Sequence, residues 1–186
     1  MMRLFVAIEL LDSARQSLTG VQEALRPKCP DVRWVRPEQL HLTVKYLGDV
    51  DDRDAAGVSE AISRAGSASK SFAMSVGECG CFPEWGSVRI VWAGVQEPSG
   101  LLASCVEATE GELESVGFAR EERSFSPHIT IGRMREDRSR GGMRSLVEAF
   151  HHEAVKQSVS SLTLMASVLS PKGPTYSVVS QARLGA

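Results

Sequence analysis

Apolar positions along this chain follow two rhythms, one of two residues and one of three to four, and together they outline its elements. Residues 3–9 alternate, with Leu4, Val6 and Ile8 on one face and Phe5 and Ala7 on the other. Two apolar faces predict a strand inside a sheet. Leu18, Val21 and Leu25 then mark a helical stripe. That helix opens at Asp12 or Ser13, where Gln16 completes a capping-box pattern from Ser13, and it ends at Pro27 and Pro30. A short extended piece at 32–35 stops before Pro37, and a strand over 40–47 closes at Gly48 and Asp49. A helix follows over 51–65, with Val58 and Ile62 inward, then a small-residue loop over 66–69. Extended segments at 72–76 and 88–95 flank a turn-rich connection, 77–86, and read as a hairpin with a long loop. A helix over 101–116 ends at Gly117, a strand over 128–134 follows Ser126-Pro127, and another helix runs from Met143 to about Phe150. Extended stretches at 159–169 and 175–184, joined by Ser170-Pro171-Lys172-Gly173-Pro174, finish the chain.

Mixed strands and helices with hairpins favour antiparallel pairing, so the fold class is α+β. At 186 residues the chain suits one domain, residues 1–186, built as two lobes sharing a core. No low-complexity segment or break in composition marks a linker.

Within this pattern one tetrapeptide occurs twice: His41-Leu42-Thr43-Val44 and His128-Ile129-Thr130-Ile131. In a strand, His and Thr two residues apart point the same way, and the apolar partners point into a core. One such tetrapeptide fits an ordinary buried strand whose histidine bonds a backbone group. Two of them hold half of the chain's four histidines, and they read as the halves of one active site. Each lies between a preceding and a following helix, as in two related lobes.

The net charge of −2 excludes bulk nucleic-acid binding, but its distribution is uneven. Residues 26–45 and 120–144 each carry a net +3, and each stretch contains one motif. Local positive charge of this kind attracts a small phosphorylated ligand. Of Cys29, Cys79, Cys81 and Cys105 only Cys79 and Cys81 are closely spaced, with no second pair and no nearby histidine. They are therefore expected to be structural thiols rather than zinc ligands. No apolar run approaches the roughly 20 residues of a membrane-spanning helix. The first residues lack a signal peptide's long apolar region, so a cytoplasmic protein is expected.

The residue types define the chemistry. Two imidazoles across one phosphorus centre can act as base and acid in a single in-line displacement. Threonine hydroxyls on the same faces donate to non-bridging phosphate oxygens. A strained cyclic phosphodiester is already activated, and its cleavage needs no metal. His151-His152 lacks a threonine partner and is assigned a surface or capping role.

These residues resemble a known family. The opening Arg3-Leu4-Phe5-Val6-Ala7-Ile8-Glu9-Leu10, the run from Trp34 through His41-Leu42-Thr43-Val44-Lys45-Tyr46-Leu47-Gly48, the block Arg123-Ser124-Phe125-Ser126-Pro127-His128-Ile129-Thr130-Ile131-Gly132-Arg133 and the stretch from Leu169 to Tyr176 look like the RNA 2′,3′-cyclic phosphodiesterases. That family, first called the 2′–5′ RNA ligases, belongs to the two-histidine phosphoesterases. The resemblance implies a bilobed α+β fold, with two antiparallel sheets facing across a central cleft and helices packed outside. It implies cofactor-free, metal-free hydrolysis of an RNA-terminal 2′,3′-cyclic phosphate to a 2′-phosphomonoester. His41 maps onto the proton donor to the departing 3′ oxygen and His128 onto the base that activates water. Thr43 and Thr130 map onto phosphate-oxygen ligands. From the residues alone the two histidines are interchangeable.

Tyr46 and Arg133 stand five residues beyond each histidine. Strict alternation would point them away from it, and a bulge or strand end would bring them to the cleft mouth. The resemblance implies that Arg133 contacts phosphate and that Tyr46 stacks on a base. Lys45, on the parity of His41 and Thr43, is a further phosphate-binding candidate. The expected partners are RNA ends or small nucleotides bearing a 2′,3′-cyclic phosphate, met by a monomer away from membranes. Two alternatives share these residues: a non-catalytic nucleotide- or RNA-end-binding module, and 2′–5′ ligation by the reverse reaction.

Overall fold

The computed structural model describes residues 1–137, 139, 141–171 and 173–185. Arg138 and Arg140 of the second basic stretch and Lys172 of the final turn lie outside the described residues. The strands are β1 (Met2–Glu9), β2 (Arg33–Trp34), β3 (His41–Val50), β4 (Phe72–Phe82), β5 (Ile90–Gln96), β6 (His128–Arg133), β7 (Val155–Val159), β8 (Ser161–Ser170) and β9 (Gly173–Arg183). The helices are α1 (Asp12–Leu25), α2 (Ala55–Ala68), α3 (Leu101–Glu114) and α4 (Gly142–Glu148). No helix among the described residues is long and apolar enough to cross a membrane.

The expected α+β class and antiparallel pairing are present, with one refinement. The two expected sheets are the arms of one continuous sheet, ordered β7-β4-β5-β6-β3-β1-β8-β9, with β2 added along β6. Outward from the middle, the arms run β6-β5-β4-β7 and β3-β1-β8-β9, so each motif strand occupies the inner position of its own arm. They join where β3 meets β6, at the single register pair Leu42–Ile129. Both residues are fully buried.

The helices lace the arms together. Helix α1 leaves β1 in one arm and packs on β7 and β6 of the other, whereas α3 leaves β5 and packs on α2 and β3 of the opposite arm. Gln22 of α1 clamps this crossing from a buried position, donating to the carbonyls of Val35 and Ile131 at 2.8 Å each. Strand β1 has the two apolar faces its pattern predicts. Leu4, Val6 and Ile8 enter the main core, while Phe5 and Ala7 form a smaller cluster with Met165, against which Tyr176 packs.

Several boundaries differ from the periodic reading. Helix α1 starts at Asp12 with Leu11 as its cap residue and no side-chain cap. Ser13 therefore lies inside the first turn, and its capping box does not form; the Leu11 N–H donates to Gln157 Oε1 at 3.1 Å instead. Helix α2 continues into the expected loop at 66–69 as far as Ala68, and the Ser67 and Ser69 hydroxyls donate to helix carbonyls one turn back. Strand β4 runs on to Phe82, through part of the expected connection, with a bulge between Gly77 and Cys79. Gly80 is needed there, since a Cβ would stand 2.2 Å from the Trp92 ring. Strand β7 was not expected at all.

The most consequential departures are bulges in the motif strands. Along β1, Val6 pairs with Lys45 and Ala7 with Thr43, leaving Val44 as an extra residue. Along β5, Val91 pairs with Gly132 and Trp92 with Thr130, leaving Ile131 extra. Both bulges fall three residues after the motif histidine. Each puts two consecutive residues on the buried side and reverses the parity of everything beyond it. A second irregularity admits Leu47 before Gly48, whose φ of +76° suits glycine.

Lys45 is the correction that follows. The bulge turns it into the core, 7% exposed, where it forms a close ion pair with Glu110 and donates to the Ala119 carbonyl at 2.8 Å. It therefore does not stand as a phosphate ligand in the cleft. The Glu110 carboxylate also accepts from the Glu121 N–H at 3.3 Å, tying β3 to α3 and to the segment after it. Breaking a buried pair costs more than the pair is worth, because one charge stays behind. Lys45→Met is expected to destabilise by about 3–5 kcal/mol in urea unfolding. The double variant Lys45→Met/Glu110→Leu should recover most of that loss, and a loss below about 1 kcal/mol in the single variant would contradict the assignment.

Candidate active site

The two histidines are held in matching ways. His41 Nδ1 lies 2.7 Å from the Gln39 carbonyl oxygen, and His128 Nδ1 lies 2.7 Å from the Ser126 carbonyl oxygen. In both cases the partner stands two residues before the ring. A carbonyl can only accept, so Nδ1 carries the hydrogen and Nε2 keeps its lone pair. Aromatic rings complete each setting. His41 packs on Phe5 with ring centres 4.9 Å apart and meets Tyr176 edge-on at 5.4 Å. His128 meets Phe82 edge-on at 5.0 Å.

Position differs even though the partners match. Burial pushes the His41 imidazole below its ordinary value; the Gln39 bond works against that, and the nearby Arg133 charge adds to it. Burial also raises the Tyr176 hydroxyl.

A cleft of about 280 Å³ opens over the junction of the two arms. His41, Thr43 and Tyr46 line it from β3, and Thr130 and Arg133 line it from β6. His128 flanks this space rather than lining it. The antiparallel pair Leu42–Ile129 explains the layout: one residue to one side stand His41 and Thr130, and one to the other stand Thr43 and His128. Neither threonine hydroxyl has a hydrogen-bond partner among the described residues. Tyr46 is 59% exposed at the cleft. Past its bulge, Arg133 also faces the cleft, without an ion-pair partner among the described residues.

Residues from outside the motif strands close the cleft. Phe5 forms one wall, Tyr176 and Pro174 of β9 another, and Arg33 and Arg36 stand along the rim. The Gln39 amide forms a short hydrogen bond to the Pro174 carbonyl, and Arg36 donates to the same oxygen at 3.2 Å. These bonds pin the β8–β9 end of the sheet beside His41. Of these residues, Phe5 was legible as the second face of β1. Gln39 and Ser126 shared a spacing from their histidines that could have been read. Nothing in the local pattern marked Tyr176 or Arg33 as cleft residues.

The remaining candidates sit apart. All four cysteines are buried free thiols, and burial pushes Cys79 up to about 11 and Cys81 up to about 12. No group of three or more His, Cys, Asp or Glu gathers to hold a metal among the described residues. His151 is exposed. His152, expected at the surface, instead tucks its ring beside Phe150, 6.3 Å away, with both nitrogens buried and unpartnered among the described residues.

Known proteins resemble this chain over nearly its whole length. A family model described as LigT like Phosphoesterase covers residues 8–92. An RNA 2′,3′-cyclic phosphodiesterase of Methanothermobacter thermautotrophicus is 31% identical over 183 residues, 98% of each chain. One from Archaeoglobus fulgidus is 34% identical over 176 residues, 94% of this chain and 96% of the relative. The chain belongs to the RNA 2′,3′-cyclic phosphodiesterase family. Solved structures agree on its fold. TT0787 of Thermus thermophilus superposes with a TM-score of 0.81 at 25% identity, covering 98% of both chains. LigT of E. coli complexed with 3′-AMP gives 0.78 at 23% identity, covering 100% of this chain and 99% of that one.

In a phosphodiesterase of this family, the electrostatics around His41 have a measurable consequence. An anion in the cleft offsets the Arg133 charge and favours the imidazolium. Proton NMR of the His41 ring should therefore titrate below 6.5 in the free protein and higher when a nucleoside 2′-phosphate is bound. Between those two values binding takes up a proton, so affinity rises as pH falls. An unchanged His41 titration on binding would contradict this picture.

Proposed function

We propose that this protein hydrolyses the 2′,3′-cyclic phosphate at an RNA end to a 2′-phosphomonoester, without a metal, by paired imidazole catalysis. The observation that carries this reading is the matched setting of His41 and His128. Each has a carbonyl two residues back on Nδ1 and, among the described residues, an Nε2 and a neighbouring threonine hydroxyl that have no hydrogen-bond partner. The family's curated members bear the name of this activity.

In the proposed reaction water attacks phosphorus while His128 Nε2 takes its proton, and the P–O3′ bond breaks. His41 Nε2, protonated while the anion is bound, donates its proton to the departing 3′ oxygen. The product keeps the phosphate on O2′ and gains a 3′ hydroxyl. Thr43, Thr130 and Arg133 donate to the non-bridging oxygens, whose charge grows in the transition state. Tyr46, exposed at the mouth, offers a face on which a base can stack. Residues 1–186 act as one two-armed domain, because the site draws on both arms.

Each histidine is asked to supply about 10² to 10⁴ in rate. His41→Ala and His128→Ala should each lower kcat on a cyclic-phosphate-terminated oligonucleotide by about that factor, with thermal unfolding retained and with EDTA changing nothing in the wild type. The direction of the roles has its own test, a substrate with sulfur in place of the 3′ bridging oxygen. A thiolate leaves without protonation, so His41→Ala should regain most of its loss on this substrate, while His128→Ala should not. The reverse pattern would exchange the roles, and full turnover in either variant on the oxygen substrate would remove the mechanism.

A further inference from the structure

The cleft carries more positive charge than its reaction centre uses. A 2′,3′-cyclic phosphate bears a single negative charge, yet Arg33, Arg36 and Arg133 all line the cleft and, among the described residues, no carboxylate does. This happens in a chain whose acidic residues outnumber its lysines and arginines, 23 to 21. The placement of Arg33 is the more telling feature. It is the register partner of Arg133 across the β2–β6 pair. Like charges directly opposite one another in an antiparallel pair are destabilising, and neither guanidinium has a carboxylate partner among the described residues. Arg36, by contrast, is partly neutralised by Glu38 at 3.3 Å and is held by the Pro174 carbonyl.

An unneutralised cross-strand arginine pair at a cleft is what a second anion would relieve. Of the two residues of β2, Trp34 packs against the core beside Gly132, whereas the Arg33 side chain is exposed and has no packing role. Arg33 stands level with Arg133, three residues past Thr130 along β6 and on the edge of β6 that also meets β3 rather than β5. It is thus displaced along the strand from the histidine–threonine centre, at a place where the chain of a longer ligand can continue.

We propose that Arg33 forms a second phosphate subsite, which takes the phosphodiester immediately 5′ of the terminal nucleoside. The cleft thereby selects an oligonucleotide end over a mononucleoside cyclic phosphate. The inference rests on the cyclic phosphodiesterase reading of the same cleft and adds to it the residue that sets substrate length.

The test compares kcat/KM for a nucleoside 2′,3′-cyclic phosphate and for a dinucleotide ending in the same group, using the full-length protein. The wild type should prefer the dinucleotide by about ten- to hundredfold, as one charge-assisted phosphate contact allows. In Arg33→Gln that ratio should fall close to one, with the loss falling mainly on the dinucleotide. Arg33→Lys, which keeps the charge without the fork, should retain part of the preference. The salt dependence of the dinucleotide's kcat/KM should also flatten in Arg33→Gln, by about 0.7 in the log–log slope. Removing Arg33 relieves its repulsion with Arg133, so the variant should melt no lower than the wild type, which separates a lost contact from a lost fold. Equal turnover of both substrates by the wild type, or an equal loss on both in Arg33→Gln, would overturn the subsite while leaving the cyclic phosphodiesterase reading standing. Turnover of neither substrate by the wild type would remove both.

Discussion

One residue pair, Leu42 against Ile129, is all that joins the two motif strands in register, and the active-site layout depends on it. Both side chains are fully buried, so the pair cannot slip without turning apolar groups to water. Around it the motifs are related by an approximate two-fold, each histidine standing beside the other motif's threonine. A wider ladder between β3 and β6 would close the gap between the arms at the point where a cleft is needed. A narrower one would leave the arms without a common register. The crossing of α1 and α3 to opposite arms supplies the stiffness that one pair cannot.

The bulges at Val44 and Ile131 are the second half of this design. Without them Tyr46 and Arg133 would face the core and Lys45 the cleft, the arrangement that strict alternation demands. Each bulge falls at the same distance from its histidine, and each delivers the fifth residue to the cleft. The shared position is best understood as a property of one repeated unit, since the outward order β6-β5-β4-β7 matches β3-β1-β8-β9 even where segment lengths differ.

The sequence made the centre of this site legible and left its edges obscure, for physical reasons. His41, Thr43, His128 and Thr130 could be read because local periodicity decides which way they point, and each lies within the first three residues of its strand, ahead of the bulge. Lys45 was misplaced because a bulge is one extra residue with no signature in composition, and everything beyond it changes face. Strand β7 was missed because Val155–Val159 mixes Lys and Gln into a short edge segment. The capping box at Ser13 does not form because the helix starts one residue earlier, at Asp12 with Leu11 as its cap residue, which leaves Ser13 inside the first turn. Tyr176 and Arg33 reach the cleft through pairings between segments far apart in the chain, which no local pattern encodes.

The arginines give the site a property beyond affinity. Burial above all, and the Arg133 charge with it, hold the His41 imidazole below its ordinary value, against the opposing pull of the Gln39 carbonyl and Glu9. A phosphate anion acts on the charge alone, offsetting the guanidinium and adding an attractive charge next to the ring. Both effects favour the imidazolium that the proposed mechanism needs at the leaving oxygen. A site without Arg133 would bind the anion less tightly, yet it would hold His41 protonated more readily when empty. The arrangement thus ties the charge of the proposed acid to the presence of an anion in the cleft. That dependence follows from placing a cation beside a half-buried imidazole, and it requires no movement of the protein.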